Sequence, residues 1–510
     1  MKTKFPMKVA AAISLGVAGL YGVPALAQQS ENTLRWASNV SLTTIDPYFN
    51  YHREAMLLNG QLIWDTLVYR TSEGDYLPLL ATSWEWVDDR TLEFKLRDDV
   101  VWHDGEPFTI DDAVYTFNYI STPENGVNVQ SNVNWIRNAE AVDELTLRIN
   151  LKEPFPAAME YISTLHAILP EGFFGETGRA GANGRLVGTG PYTLADFAQG
   201  DRIRVEAFDG YFADSPKGMP TFDAIVYRSI PDTSTQIAEL LSGGVDWIWR
   251  VPPDQADPMT GVPDITVTAD ETMRISFLSM NLRDMDGGNP MQDARVREAV
   301  ALAIDRQTIV DQVIGEGSTV INSPCFRTQF GCIEDATDLG YDPERARELL
   351  AQAGYEDGMN LRMTSYRSRE WTEAVSGYLA NVGINVDASV LDYGNARERV
   401  VNNQVNMMLG DWGSYGVNDV SALLNNFFTL SEDDMAQDHA VAEALLAAAQ
   451  TADHDTRMEH YEFAVGQIAG ELYWYPMWTH PTTYAYSADL EFQSHPDENP
   501  RFFMAKWADQ

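Results

Sequence analysis

The feature that most constrains the fold is a strand–helix–strand succession in residues 224–249. Residues 224–230 form a β-branched, apolar run that is typical of a strand, and the proline at position 231 ends it. Thr233 to Leu241 predicts a short helix, and Val245 to Trp249 predicts a second strand. Two strands joined by a helix within about 25 residues form a βαβ unit, which implies a parallel sheet. An α/β fold is therefore expected.

The remaining segments add an antiparallel part and a further α/β part. Two alternating runs, residues 83–87 and 91–96, are separated by Asp88-Asp89-Arg90 and predict a β-hairpin. Three aspartates each precede an apolar helical periodicity and predict helix N-caps, at Asp293, Asp305 and Asp342. Further predicted strands are 33–37, 202–208, 360–365 and 384–390, and further predicted helices are 111–120, 370–381 and 395–403.

The first 27 residues predict a cleaved secretory signal peptide. Lys2, Lys4 and Lys8 precede an uncharged apolar run over residues 9–23, and Ala25-Leu26-Ala27 places small residues at the cleavage site. The apolar run is too short for a stable membrane span, and no later stretch approaches the roughly 20 apolar residues that one needs. The roughly 480 residues that remain predict two or three domains. We expect the mature protein to be free in a periplasm.

The charge balance excludes several classes of partner. The chain has 35 basic and 75 acidic residues and a formal charge of −40. A field of this sign argues against nucleic acid and anionic lipid as partners. Most of the acidic side chains are expected to form solvated surface.

The cysteine and histidine patterns predict a disulfide and no metal site. The two cysteines, Cys325 and Cys332, are close in sequence, and in an oxidising compartment such a pair indicates a disulfide. Without a C-x-x-C spacing, a structural bond is favoured over redox catalysis. The eight histidines show no zinc-binding spacing, and no cofactor is expected.

Several motifs together resemble the extracellular solute-binding proteins of family 5, the dipeptide-, oligopeptide-, nickel- and opine-binding proteins of ABC importers. Each motif alone is of moderate specificity, but their order along nearly all of the mature chain is highly specific. The motifs are Pro78-Leu-Leu-Ala-Thr-Ser-Trp84, Leu92-Glu-Phe-Lys-Leu-Arg97, Val101-Trp-His-Asp-Gly-Glu-Pro-Phe-Thr109, Gly188-Thr-Gly-Pro-Tyr192, Asp293-Ala-Arg-Val-Arg-Glu-Ala-Val300 and Tyr341-Asp-Pro-Glu-Arg-Ala-Arg-Glu-Leu-Leu350.

The resemblance implies a two-lobed periplasmic-binding-protein clamshell of type II, in the large class that has an extra domain in lobe I. Lobe I would comprise residues 28–71, 188–275 and 483–510, with the extra domain at 72–187, and lobe II would comprise 276–482. The ligand, a peptide or peptide-like compound first, would be enclosed between the lobes and delivered to the permease subunits of an ABC transporter in the inner membrane. A monomer is expected.

The resemblance also indicates where the ligand would bind. In peptide-binding members, an aspartate three residues after a lobe II tryptophan pairs with the peptide amino terminus. Trp412 matches this tryptophan, but Tyr415 stands at the position of the aspartate and cannot neutralise an ammonium group. Asp411 or Asp419 could substitute, or the ligand lacks a primary amine.

Aromatic side chains offer further contacts in this region. Trp412 and Tyr415 could stack on a sugar or an aromatic group, or bind a cationic group through their ring faces, or be ordinary packing. Trp478 and His480 lie near the second crossing between the lobes and could line the site, although a structural histidine fits as well.

Other functions remain open at this level. An enzyme is not expected, because no catalytic motif such as G-x-S-x-G or a P-loop occurs in the sequence. A binding protein for an opine, an oligosaccharide or a metal chelate, and a protein that presents its ligand to a sensor or acts as a chaperone, both fit the same motifs.

Overall fold

The computed structural model describes residues 32–175, 186–337, 339–414 and 416–508. The predicted signal peptide and Tyr415 lie outside these ranges. The strands are β1 Thr33–Ser38, β2 Val68–Arg70, β3 Tyr76–Pro78, β4 Ala81–Asp88, β5 Thr91–Leu96, β6 Ile136–Asp143, β7 Thr146–Leu151, β8 Tyr192–Ala198, β9 Arg202–Ala207, β10 Ala224–Ser229, β11 Trp247–Trp249, β12 Ile265–Met280, β13 Met359–Ser365, β14 Ile384–Val390, β15 Met407–Gly413, β16 Trp474–Ser487, β17 Leu490–Glu491 and β18 Lys506–Trp507.

The helices of the described ranges are mostly short. The α-helices are α1 Arg53–Met56, α2 Ile110–Ser121, α3 Ala158–Thr164, α4 Thr233–Leu241, α5 Pro253–Ala256, α6 Ala294–Leu302, α7 Arg306–Ile309, α8 Pro343–Gln352, α9 Arg369–Asn381, α10 Tyr393–Val401, α11 Ser421–Leu424, α12 His439–Gln450 and α13 His454–Gly470. π-Helical turns cover Leu57–Ile63 and Val310–Ile314, and 3₁₀ turns cover Pro123–Asn125, Gln130–Asn132, Asp257–Met259 and Pro290–Gln292. No helix in the part of the chain that the structure describes is long and apolar enough to cross a membrane.

A ten-stranded sheet runs through the whole molecule in the order β14-β13-β15-β12-β16-β11-β1-β10-β9-β8. Its fourth and fifth strands, β12 and β16, are long and antiparallel, and they join the two parts of the sheet, since β16 pairs with β11 and β12 pairs with β15. The register between β12 and β16 shifts between Glu271 and Phe277. We call β12 and β16 the crossing strands.

The predicted βαβ unit is confirmed. Strands β10 and β11 both pair in parallel with β1, which lies between them, and α4 connects them. The side chain of Asp232 accepts a hydrogen bond from the backbone N–H of Thr235 and so caps this helix. The local sequence thus determines the helix start and the parallel direction of β10 and β11, and the pairing itself is made through the distant strand β1.

The predicted hairpin is also confirmed and belongs to a separate sheet. Strands β4 and β5 are antiparallel and form part of a four-stranded sheet in the order β4-β5-β7-β6. Helix α2 packs against β6 and β7, and its buried side chains Ala113, Phe117 and Ile120 join the same hydrophobic cluster as Leu147 and Ile149.

Buried apolar side chains form separate cores on the two sides of the crossing strands. The largest cluster draws on residues from 34 to 249 and from 484 to 507, and two others draw on residues from 273 to 478. We call residues 32–264 and 488–508 the first lobe and residues 281–473 the second lobe. The molecule therefore has two lobes that the crossing strands connect.

The predicted disulfide joins Cys325 to Cys332 in the second lobe. The loop that it closes pairs with the segment near residue 418, because Phe330 N–H donates to the carbonyl of Asn418 at 3.0 Å and Val420 N–H donates to the carbonyl of Phe330 at 3.1 Å. The disulfide loop thus holds a segment that faces the first lobe.

Candidate binding site between the lobes

A cavity of about 370 Å³ lies between the two lobes. Tyr51, Phe155 and Tyr161 line it from the first lobe, and Trp412 lines it from the second. This volume is within the range of small-molecule pockets, and the mixture of aromatic and small polar side chains is typical of them. The polar lining residues are Ser131, Asn132, Ser414, Ser421, Asn425 and Asn426.

The order of the strands brings the second-lobe wall together. Strands β13 and β15 are adjacent and parallel, so their carboxyl ends lie at the same edge of the sheet. Arg367 follows β13 by two residues, and Trp412 is the penultimate residue of β15. Ligands of open α/β sheets bind at the carboxyl ends of strands. The Trp412 ring is held by Phe427 and Tyr393, with ring centroids 5.3 Å and 6.0 Å away.

Two guanidinium groups converge on one buried carboxylate beside Trp412. Arg274 Nη1 and Arg367 Nη2 each donate to Asp411 Oδ1 at 2.8 Å, and Arg367 Nε donates to Oδ2. The Glu498 carboxylate oxygen Oε2 lies 3.4 Å from Arg274 Nη2 and 3.4 Å from Arg53 Nη2. The cluster therefore contains three guanidinium groups and two carboxylates, and it is positive within a strongly acidic chain.

One arginine of this cluster is accessible to a ligand. The side chain of Arg367 is 42% exposed, and its Nη1 has no hydrogen-bond partner among the described residues. A guanidinium with a free donor is well suited to a carboxylate or phosphate group. Arg367 can therefore bind an anionic group of a solute while Asp411 fixes its orientation.

The charge states of Asp411 and His480 follow from their surroundings. Burial by itself raises the pKa of the Asp411 carboxyl, but the charges of His480, Arg367 and Arg274 outweigh it and hold this pKa at about 2. Burial lowers the pKa of His480 to about 4, against the opposing attraction of Asp411. At pH 7 Asp411 is ionised and His480 is neutral. His480 Nε2 is 2.7 Å from Ser276 Oγ.

Trp412 also lines a second cavity, of about 450 Å³. Arg274, Arg367, Tyr366 and Tyr393 line this cavity as well. The two cavities therefore share Trp412 as a lining residue. The arginines face one cavity, and the small polar side chains face the other.

The structure distributes the six predicted site residues between the cavity wall and the interior. Trp412 lines both cavities, and Asp411 lines the cavity that contains the arginines. His480 lies on crossing strand β16 near Asp411. A fourth predicted residue, Tyr415, lies outside the described residues.

The other two predicted residues are buried, Asp419 in the second lobe and Trp478 on crossing strand β16. The Asp419 carboxylate accepts hydrogen bonds from Arg457 at 2.6 Å and from the Tyr461 hydroxyl at 3.0 Å, as well as from Ser421. Trp478 is fully buried in the hydrophobic core. Neither residue is part of the wall of the two cavities described above.

Direct contacts also join the two lobes next to the cavity of about 370 Å³. The Glu160 carboxylate of the first lobe accepts a hydrogen bond from the backbone N–H of Asn418 at 2.7 Å. Arg70 pairs with Glu160 at 3.5 Å and donates to the carbonyl of Gly416. These contacts connect the lobes across the edge of the cavity.

Sequence reasoning missed the arginines and the first-lobe wall. Arg367 could have been found, because the predicted strand 360–365 ends just before it, and such ends often carry ligand contacts. No sequence signal pairs Tyr51, Phe155 or Tyr161 with Trp412, since they are 250 or more positions away along the chain. Among the described residues, no group of three or more His, Cys, Asp or Glu side chains could hold a metal ion.

Similar proteins are known by sequence. The glutathione-binding protein GsiB of Salmonella paratyphi A is 26% identical over 468 residues, which cover 88% of this chain and 89% of that protein. The dipeptide-binding protein of Escherichia coli strain K12 is 23% identical over 500 residues, which cover 90% of this chain and 91% of that protein.

Similar structures share the two-lobed fold. The ABC transporter substrate-binding protein CtaP from Listeria monocytogenes superposes with a TM-score of 0.82 at 20% identity, covering 93% of this chain and 99% of that protein. The fold is therefore the α/β clamshell expected from the sequence motifs. The model of the bacterial extracellular solute-binding proteins, family 5, matches residues 75–435. The chain belongs to family 5 of the bacterial extracellular solute-binding proteins.

Proposed function

We propose that this protein captures a small, peptide-like solute between its lobes and delivers it to the permease of an ABC importer. The observation that carries the proposal is the cavity whose walls come from both lobes, with Trp412 on one side and Tyr51, Phe155 and Tyr161 on the other. Closure of two lobes around a solute gives the transporter a distinct liganded state to recognise. Membership of family 5 supports the same function.

The cellular setting forms part of the proposal. The predicted signal peptide at residues 1–27 would export the chain to the periplasm, where the mature monomer would meet its permease. The lobe boundaries that we propose are at 275/276 and 482/483, with an extra domain over 72–187. The register shifts of the crossing strands between Glu271 and Phe277 support a hinge at the first boundary.

The chemistry of the site supports a solute with an anionic group. Arg367 offers an unpaired donor in the cavity of about 450 Å³, and Trp412 separates this cavity from the uncharged one. A carboxylate at Arg367 would form a charge-assisted hydrogen bond, and the body of the solute would stack on the indole ring. A carboxylate at the end of a peptide-like molecule meets both requirements.

Substitution of Trp412 tests the proposal. The purified protein should release a small solute on denaturation, detectable by mass spectrometry, and that solute should rebind to the refolded chain. Trp412→Ala should weaken this binding by about 2 kcal/mol or more, roughly thirtyfold, because a buried aromatic anchor is lost. Trp86→Ala removes a 40% exposed tryptophan outside this cavity and serves as the control. Equal solute binding by wild type and Trp412→Ala would contradict the proposal.

A further inference from the structure

The cavity of about 370 Å³ is lined by uncharged side chains. Its described lining consists of aromatic, aliphatic, serine and asparagine residues, and it contains no Asp, Glu, Lys, Arg or His. Burial raises the pKa of the Tyr51 hydroxyl to about 12, and burial also raises the pKa of Tyr161, so both phenols are neutral at pH 7. We call this space the neutral chamber.

Three carboxylates that are close in sequence to lining residues are already occupied, and the first, Asp411 beside Trp412, binds Arg274 and Arg367. Glu160 adjoins the lining residue Tyr161 in sequence, and its carboxylate is bound by Arg70 and by the backbone of Asn418. Asp419 lies between the lining residues Val417 and Ser421 in sequence, and Arg457 and Tyr461 occupy its oxygen atoms. An ammonium group enclosed in the chamber would therefore gain no free carboxylate from these residues, and attraction to the aromatic ring faces would offset only part of the cost of removing its water.

Two buried polar atoms of residues that line the chamber have no hydrogen-bond partner in the described part of the chain. Trp412 Nε1, a donor, and Asn425 Oδ1, an acceptor, are both buried and make no hydrogen bond to any residue that the structure describes. Buried polar atoms are nearly always hydrogen-bonded in folded proteins, so a side-chain rotation that turns either atom towards the chamber would let a bound solute satisfy it. Their complement is an uncharged group that has both an acceptor and an N–H or O–H donor.

We infer that the neutral chamber selects the uncharged, amine-free end of the solute, such as an acylated amine. An amide group supplies a carbonyl acceptor for Trp412 Nε1 and an N–H donor for Asn425 Oδ1, and it carries no charge. This inference rests on the proposed function and extends it. It specifies a solute whose amino group is blocked, in contrast to a free dipeptide, whose ammonium would lack a counterion in the chamber.

Matched pairs of probes test this inference by isothermal titration calorimetry on the mature chain. The peptide pair is N-acetyl-Ala-Phe and Ala-Phe, and the sugar pair is N,N′-diacetylchitobiose and chitobiose. In at least one pair the acetylated member should bind at least tenfold more tightly than the free amine, and that pair identifies the source of the acyl group. Tighter or equal binding of the free amines, or no binding of any of the four probes at millimolar concentration, would overturn the inference.

An isosteric substitution then tests the reason for the selectivity. Asn425→Asp places a carboxylate in the chamber, and it should raise the affinity for the free-amine probe at least tenfold and lower that for its acetylated partner. Asn402→Asp adds the same charge on the exposed surface of the second lobe and should change neither affinity more than twofold. An Asn425→Asp variant that gains no affinity for the free amine would overturn the inference.

Trp412→Ala separates a failure of this inference from a failure of the proposed function. If Trp412→Ala weakens the binding of whichever probe binds, while the free amines are preferred, the site is correct and only the selectivity is wrong. If Trp412→Ala leaves every probe affinity unchanged, the solute binds elsewhere, and both the site and the inference are wrong.

Discussion

Replacing Asp411 by asparagine should destabilise the protein far more than the loss of a surface ion pair. The Asp411 carboxylate is fully buried and binds two guanidinium groups, from Arg274 and Arg367. Asparagine keeps the shape of the side chain but removes the charge that balances these arginines. The removal of one partner from a buried ion pair typically costs about 3–5 kcal/mol, because the other charge stays buried without compensation.

The pKa of Asp411 gives an independent value for the free energy that the ionised carboxyl contributes to stability. Its value of about 2 in the folded protein, against an ordinary 3.8, means that the folded state favours the ionised carboxyl by about 2 kcal/mol, and the part of this that comes from the His480 charge is present only below the His480 pKa of about 4. Because the folded-state pKa is depressed, this stabilisation is present above pH 3.8 and is lost as the pH falls towards 2. We therefore expect Asp411→Asn to lower the free energy of unfolding at pH 7 by about 3 kcal/mol, and by progressively less below pH 4.

Urea unfolding followed by tryptophan fluorescence measures this effect at pH 7 and again at pH 3. Asp433→Asn is a matched control, since Asp433 pairs with the 40% exposed Arg397 at 2.7 Å. An exposed pair of this kind is worth about 0–1 kcal/mol. Equal losses for the two variants at pH 7, or a loss for Asp411→Asn that is as large at pH 3 as at pH 7, would refute the reasoning.

Three further predictions concern the disulfide, the lobe contacts and a buried histidine. Cys325→Ser should lower the free energy of unfolding by about 2.5 kcal/mol, the chain-entropy value for a short loop, in urea melts under non-reducing conditions; an unchanged midpoint would contradict this. Glu160→Ala should accelerate hydrogen exchange at the amide of Asn418, which donates to Glu160, but not at Val420, which donates within its own lobe; equal changes at both amides would indicate local unfolding instead. Burial lowers the pKa of His166 to about 4, so the unfolded chain binds a proton at this residue first as the pH falls below 6.5, and His166 alone should lower the free energy of unfolding by about 2 kcal/mol between pH 7 and pH 5. His166→Gln should remove this part of the pH dependence of the urea midpoint, and an unaltered dependence would contradict the assignment.

The sequence by itself determined the local elements of this protein. The predicted helices after Asp293, Asp305 and Asp342 all begin at the next residue, because each aspartate side chain accepts a hydrogen bond from the first turn. The strand predicted over 384–390 has the same bounds in the structure, and the disulfide joins two cysteines that lie seven positions apart. Such features depend on neighbours in the chain, and the family motifs identified the two-lobed fold in the same local way.

The tertiary structure alone decided how the binding site is assembled. Trp412 was predicted from its motif, but the arginines beside it were not, because Arg274 reaches Asp411 across 137 positions of the chain. Their meeting depends on the order of strands β13, β15 and β12 in one sheet, which sets the carboxyl ends of two parallel strands next to a crossing strand. The neutral chamber likewise exists only because Tyr51, Phe155 and Tyr161 of the first lobe lie opposite Trp412 of the second. Burial and charge pairing act through space, so they become known only when the distant segments are placed together.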